Sequence, residues 1–263
     1  MRKLLCSLAV VLLSAFPLAA ETIEALDARL TKELQAIDPE ATTLWTKANA
    51  ARAAGKSEEA VRLYEQVYTR VPAFDHAVRR QAAEENSLGR HAEAVDHARA
   101  ALALNRSAMN LAALARILVE LTNGGTTVSP AEAAEAKALA NEAVQLAPND
   151  EEVHAARASV AVTTEDTMSL RDSVTQLERL APNSVETHYF AFFANANEGK
   201  FTAAQASLDR ARALGLPPEI YATLLGQLHA AMPFYVRWWK PVAIGLAIWF
   251  GCFALLLGAG VLL

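Results

Sequence analysis

The stretch AARAAGKSEEAVRLYEQVYTRVP, Ala50 to Pro72, contains Gly55-Lys56-Ser57, which is the tail of a phosphate-binding loop. That loop needs another glycine at position 50 and a strand ahead of it. Position 50 is alanine, and Thr42 to Ala54 reads as helix, with no β-branched alternation. N–H groups inside a helix are already bonded to its own carbonyls and cannot wrap a phosphate. The triplet is not a nucleotide site, and the glycine needs another explanation.

A second stretch, SLGRHAEAVDHARAALALNR (Ser87 to Arg106), has the same outline: Gly89 follows Gly55 by 34 positions, and Ala60-Val61 matches Ala94-Val95. In NEGKFTAAQASLDRARALGLPP the glycine is Gly199, with Ala204 and Ala211 at the matching small positions. Pro148 and Pro182 are again 34 apart. Gly89 to Gly199 is 110 residues, three periods and eight over, and Pro72 to Pro148 is 76, two periods and eight over. Both spacings ask for one eight-residue insertion, supplied by Thr122-Asn123-Gly124-Gly125-Thr126-Thr127-Val128-Ser129. Ser129-Pro130-Ala131-Glu132 then restarts a helix as a capping box with proline in the first turn.

A 34-residue helix-turn-helix unit with glycine at the turn, a small residue five later and a closing proline resembles the tetratricopeptide repeat. The resemblance implies an all-α protein, a right-handed α-solenoid of about five repeats followed by a C-terminal transmembrane helix that the apolar end of the chain supplies. The units fall at 41–74, 75–108, 109–150 with the insertion, 151–184 and 185–218, with a cap helix over 219–232. The likeness is weakest in the first helix of each unit. Gly55 becomes a turn residue, Ser57 the expected N-cap of the next helix, Lys56 a solvated turn residue, and Glu58 and Glu59 favour the positive helix end. Ahead of the array, Ile23, Leu26, Leu30, Leu34 and Ile37 form one stripe of an amphipathic helix over 21–40, which caps the first repeat. A coiled-coil seam is the other use of such a stripe.

Both ends read differently. Residues 1–20, MRKLLCSLAVVLLSAFPLAA, have Arg2 and Lys3, an apolar run, Pro17 and small residues at Ala19 and Ala20: a signal peptide cut after Ala20. An uncleaved anchor is the alternative, and Cys6 stands too early for a lipoprotein. Residues 241–263 hold no charged residue in 23 positions; at ~1.5 Å per residue they reach about 34 Å, enough to cross a ~30 Å hydrocarbon core. Phe234, Tyr235, Trp238 and Trp239, within 233–240, suit a membrane-interface collar. Ala243, Ala247 and Gly251 form a small-residue face suited to a second membrane helix. Arg237 and Lys240 lie on the exported side, mildly against the positive-inside tendency. The expected location is the cell membrane, held by a single C-terminal span, with the repeats extracytoplasmic and periplasmic.

The 24 basic residues of the chain, less Arg2 and Lys3, face 29 acidic ones, leaving about −7 on the exported part. That balance argues against nucleic acid as partner. The two cysteines, Cys6 and Cys252, lie in the leader and the span, so the exported part has neither disulfide nor thiol nucleophile.

No catalytic, cofactor or metal site emerges. His91 and His97 are six apart and point to different sides of a helix. His154 and His188 hold equivalent places in adjacent repeats, but two histidines without a cysteine or carboxylate make a poor zinc site, and they read as structural. Binding is what the resemblance implies, in a concave groove lined by first helices. Its positions map onto Trp45, Asn49 and Arg52, then His76, Arg79 and Asn86, then Asn110, and finally Tyr189 and Phe193. Trp45 and Phe193 serve equally well as plugs between helices. Some family members grip a C-terminal carboxylate, but Trp45 stands where a lysine is expected for that. In His188-Tyr189-Phe190-Ala191-Phe192-Phe193 the six positions cover every face of a helix, so some rings are core.

The implied function is a membrane-anchored scaffold that binds a protein or peptide, with the bilayer as second partner. The alternative is the recruiting front half of a longer membrane enzyme, a peptidase, with catalysis encoded beyond Leu263. A purely structural spacer is the third reading.

Overall fold

The computed structural model describes residues 23–120 and 128–232. The described residues form twelve helices and no strand. The first is α1 (Ile23–Ile37); then come the pairs α2 (Pro39–Ala53) with α3 (Ser57–Arg70), α4 (Asp75–Ser87) with α5 (His91–Leu104), and α6 (Ala108–Val119) with α7 (Pro130–Leu146). The series continues with α8 (Glu151–Thr163) and α9 (Thr167–Leu180), α10 (Val185–Asn197) and α11 (Phe201–Ala213), and ends at α12 (Pro218–Ala231). Each pair packs on itself and on the next, and α4, α6, α8 and α10 also meet in succession. A chain whose helix pairs stack in sequence, each packing chiefly on the next, is a solenoid.

The turn explains the glycine. At Gly55, with φ of +69°, the Lys56 N–H reaches back to the Ala51 carbonyl and the Gly55 N–H to Arg52. This is a Schellman closure, which needs a left-handed residue just past the helix. Gly89 (+77°) and Gly199 (+70°) repeat it with Arg90 to Glu85 and Lys200 to Asn195. The tight turn leaves Lys56, not Ser57, as N-cap of α3, without a side-chain cap bond. The expectation for Ser57 is thereby corrected: the Schellman bonds consume the turn, and Ser57 already lies inside the helix.

Elsewhere the helix starts are side-chain capped. Asp38, Ser107, Asp150, Asp166 and Ser184 each accept from the first turn. Ser129 and Glu132 form a complete capping box at α7, with Pro130 in its first turn. Pro72, Pro148 and Pro182 each follow a helix end by two residues, where a missing N–H does no harm.

The core is a string of local clusters. Leu30 and Leu34 of α1 pack with Trp45, Tyr64, Val67 and Phe74 in the first. Alanines dominate the middle one, where Leu111, Leu114 and Leu118 of α6 are buried. Ile37 is 58% exposed, so the stripe of α1 ends at Leu34, and Asp38 turns away to cap α2. The segment 122–127 of the insertion, the leader 1–20, the interface residues Phe234, Tyr235, Trp238 and Trp239, and the span 241–263 with Ala243, Ala247 and Gly251 lie outside the described residues. Among the described residues no helix is long and apolar enough to cross a membrane.

Candidate partner-binding groove

The first helices of four successive pairs line one face. A cavity of about 530 Å³ opens there, bounded at one end by Leu26 of α1. Helix α2 contributes Arg52; α4 contributes Arg79, Arg80, Ala83, Glu84 and Asn86. From α6 come Ala113, Arg116 and Ile117, followed by Glu120, and α8 adds Glu152. Spacings of three and four put 79, 83 and 86 on one side of α4, and 113, 116, 117 and 120 on one side of α6. Short Ala83 and Ala113 leave the space that longer side chains would fill.

The charges are not equivalent. Arg80 donates to Asp27 of α1 and to Asn49, and its guanidinium lies 4.4 Å from the Trp45 ring centroid. Asp27 also stands 3.9 Å from Arg52. Arg116 Nε donates to Glu120 at 2.8 Å, and its Nη2 is 3.5 Å from Glu186. Partial burial works against its charge, but Glu186 and Glu120 more than offset that and raise its pKa. Asn86 donates to Glu120 from the other side.

Arg79 stands apart. It is 7% exposed, its nearest carboxylate oxygen is Glu152 Oε1 at 3.9 Å, and its buried Nε has no hydrogen-bond partner. Burial pulls its pKa below the usual arginine range, with Glu152 opposing. An arginine nevertheless remains charged in a protein.

Of the residues expected in the groove, the structure brings Arg52, Arg79 and Asn86 to the cavity wall. Asn49 lies behind them, accepting from Tyr64 Oη at 2.7 Å and from Arg80. Trp45 is not groove surface. It is fully buried, because a ring that meets Tyr64 and Phe74 edge-on fills the space between three helices. Asn110 is likewise corrected: it is 1% exposed and donates to Asp75 at 2.6 Å and to the carbonyls of Ala101 and Asn105. His76 is part-buried against Phe74 at the start of α4, with no place in the cavity wall. Tyr189 and Phe193 pack together at 5.1 Å, partly buried among the last two clusters, and do not line this cavity either.

Sequence reasoning missed Arg80, Glu84, Arg116, Glu120 and Glu152. A signal existed for two of them. Glu120 follows its partner Asn86 by one period of 34, and Glu152 precedes Glu186 by the same distance. Arg116 and Arg80 fall outside the family's groove positions, and only the packing shows where they go.

His154 and His188 share one role. Each ring Nε2–H donates to the carbonyl of the proline six residues before it, Pro148 at 2.9 Å and Pro182 at 3.0 Å. Among the described residues no group of three or more His, Cys, Asp or Glu side chains is placed to hold a metal.

Comparison with solved structures identifies the architecture. A thermophilic TPR protein of Thermus thermophilus superposes with a TM-score of 0.58 at 17% identity, over 73% of this chain and 98% of that one. A tetratricopeptide repeat protein from Parabacteroides merdae gives 0.56 at 14% identity, over 80% and 81%. The fold is a tetratricopeptide solenoid. No protein-family model matches the sequence, and no curated protein is similar to it. The tetratricopeptide likeness therefore rests on backbone course, on the turn geometry and on the 34-residue period.

Proposed function

We propose that this chain is a membrane-anchored extracytoplasmic scaffold that holds a protein or peptide segment in the cavity between α2, α4, α6 and α8 and recruits it to a membrane assembly. One observation carries the binding half: four arginines and the apolar side chains Ala83, Ala113 and Ile117 converge on one open face of the first helices. Arginine beside apolar surface suits polypeptide recognition. The anchoring half rests on the sequence of residues 1–20 and 233–263, whose apolar and aromatic pattern suits export and a single span.

The test places a photo-crosslinking residue at Ala83, in the cavity, or at Glu65, on the outer helix α3, in cells expressing the full chain. The expected result is a discrete adduct from position 83 only, lost when Arg52→Glu and Arg116→Glu are combined, with helicity by circular dichroism unchanged. Equal adducts from both positions, or adducts indifferent to the double variant, would remove the groove from the account. Fractionation tests the other half: the chain should stay with membranes after alkaline carbonate washing.

A further inference from the structure

We propose that Arg79 is the centre of an anion subsite in this groove, taking the side-chain carboxylate of one aspartate or glutamate in a bound polypeptide segment. The proposal rests on the reading of the groove as a polypeptide site.

Arg79 presents up to five N–H donors, yet it donates no hydrogen bond among the described residues, and its one ion-pair partner is at 3.9 Å. Taking a charge out of water costs several kcal/mol unless good pairing returns it. Arg80 and Arg116 beside it are paired at hydrogen-bond range, so the deficit belongs to Arg79. A charge left in that condition on a cavity wall is suited to an incoming anion.

The chain itself shows what this arginine row accepts. Asp27, carried on α1, bonds Arg80 and approaches Arg52. A carboxylate on a polypeptide segment thus already docks at one end of the row, and the cavity continues from Leu26 toward Arg79 and Arg116. The occupant has only room for limited charge. Glu84, Glu120 and Glu152 also line the space and would repel an acidic run. A single acidic residue among neutral or apolar ones fits both constraints, with Ala83, Ala113 and Ile117 as the apolar contact. The volume of about 530 Å³ lies within the range of ~300–1,000 Å³ common to ligand sites.

The experiment uses the full-length chain in detergent micelles and N-acetylated, C-amidated nonapeptides of alanine and leucine with Glu, Asp, Gln or Lys at the centre. A fifth peptide has no acidic side chain but keeps a free C-terminal carboxylate. Glu or Asp peptides should bind about tenfold more tightly than the Gln peptide, as a charge-assisted pair predicts. Arg79→Met should erase that preference, whereas Arg62→Met on α3 should keep it. Arg79→Met should also leave the melting temperature equal or higher, because an under-paired buried charge is replaced by an apolar chain of similar length. A merely structural arginine would instead lower it. Failure of Arg79→Met to fold would count as that structural result, and Arg79→Lys would then decide whether the arginine also reads the ligand, with a reduced preference expected and an unchanged one fatal. Equal Glu and Gln binding, still blocked by Ala83→Trp, would overturn the subsite and leave the groove standing. Tighter binding of the free C-terminus would also overturn it. Binding of no peptide at all would remove the subsite together with the groove.

Discussion

The guanidinium of Arg80 lies 4.4 Å from the centroid of the Trp45 ring, which Tyr64 and Phe74 meet edge-on at 5.6 and 5.2 Å. Trp45 thus joins α2, α3 and α4 from inside, and of the groove's arginines Arg80 rests on its ring. Trp45→Ala should cost about 4 kcal/mol by urea unfolding, the cost of emptying so large a buried volume. Trp45→Phe should cost less, roughly 1–2 kcal/mol, since it also removes an indole N–H that has no partner. A stable Trp45→Ala protein that had merely lost its partner would return the ring to the groove.

Asn110 allows the opposite separation. Its amide crosses from α6 to Asp75 at the start of α4 and to the carbonyls that end α5. Asn110→Ala leaves those groups short of a donor and should destabilise by about 2 kcal/mol. Peptide capture by the folded fraction should be unchanged. A selective loss of capture with normal unfolding would show that this side chain reaches a ligand after all.

The turn between α8 and α9 breaks the glycine rule. Glu165, 34 residues before Gly199, holds the left-handed position with φ of 54°. It makes the same Schellman closure, with Asp166 bonded to Ala161 and Glu165 to Val162. A side chain there strains the backbone by ~1–2 kcal/mol, part of which glycine's larger unfolded-state freedom offsets. Glu165→Gly should therefore raise stability by about 0.5–1 kcal/mol, and Gly55→Ala should lower it by a similar amount, with nothing within 4 Å of the added methyl. Denaturant midpoints of the two variants moving in the same direction would contradict this.

Glu165 also marks how far the sequence could be read. The period was legible because Gly55, Gly89 and Gly199 answer a backbone demand that few residues meet, and because the prolines stop helices at fixed distances. Side-chain placement was legible only where chemistry forces it, as in the Ser129–Glu132 box. The groove was half legible. Arg52, Arg79 and Asn86 follow from their register on the first helices, but Trp45 and Asn110 share that register and are core. On an alanine-rich helix a shift of one turn decides between core and cavity, and long-range partners such as Tyr64 or Asp75 settle it. Arg80 was invisible for the same reason: its position reads as packing, and only Asp27, 53 residues away, makes it an ion pair.

His76 gives the fold a pH dependence of defined sign. Its ring is 20% exposed, packs against Phe74 at 5.3 Å, and leaves Nδ1 buried without a partner. Burial, with Arg79, Arg80 and Arg29 nearby, outweighs the opposing Asp75 and pushes its pKa from 6.5 down to about 4. The folded chain therefore keeps His76 neutral where the unfolded chain takes up a proton. Between about 6.5 and 4 the unfolded state binds more protons, so stability falls as pH falls through that window and is fully present above it. Solvent at the ring edge screens the effect, which should amount to roughly 1–2 kcal/mol. Asp38, Asp166 and Glu198, held low by hydrogen bonds to the backbone or to cations, begin to lose their contribution as pH falls through the usual carboxylate range and lose it fully only below their lowered folded values. Those carboxylates are common to wild type and His76→Gln, so the difference between the two isolates the histidine. Urea unfolding of both at about pH 7 and about pH 4.5 should show the wild type losing the larger share of its stability. Parallel losses would mean that the ring titrates freely in the folded state.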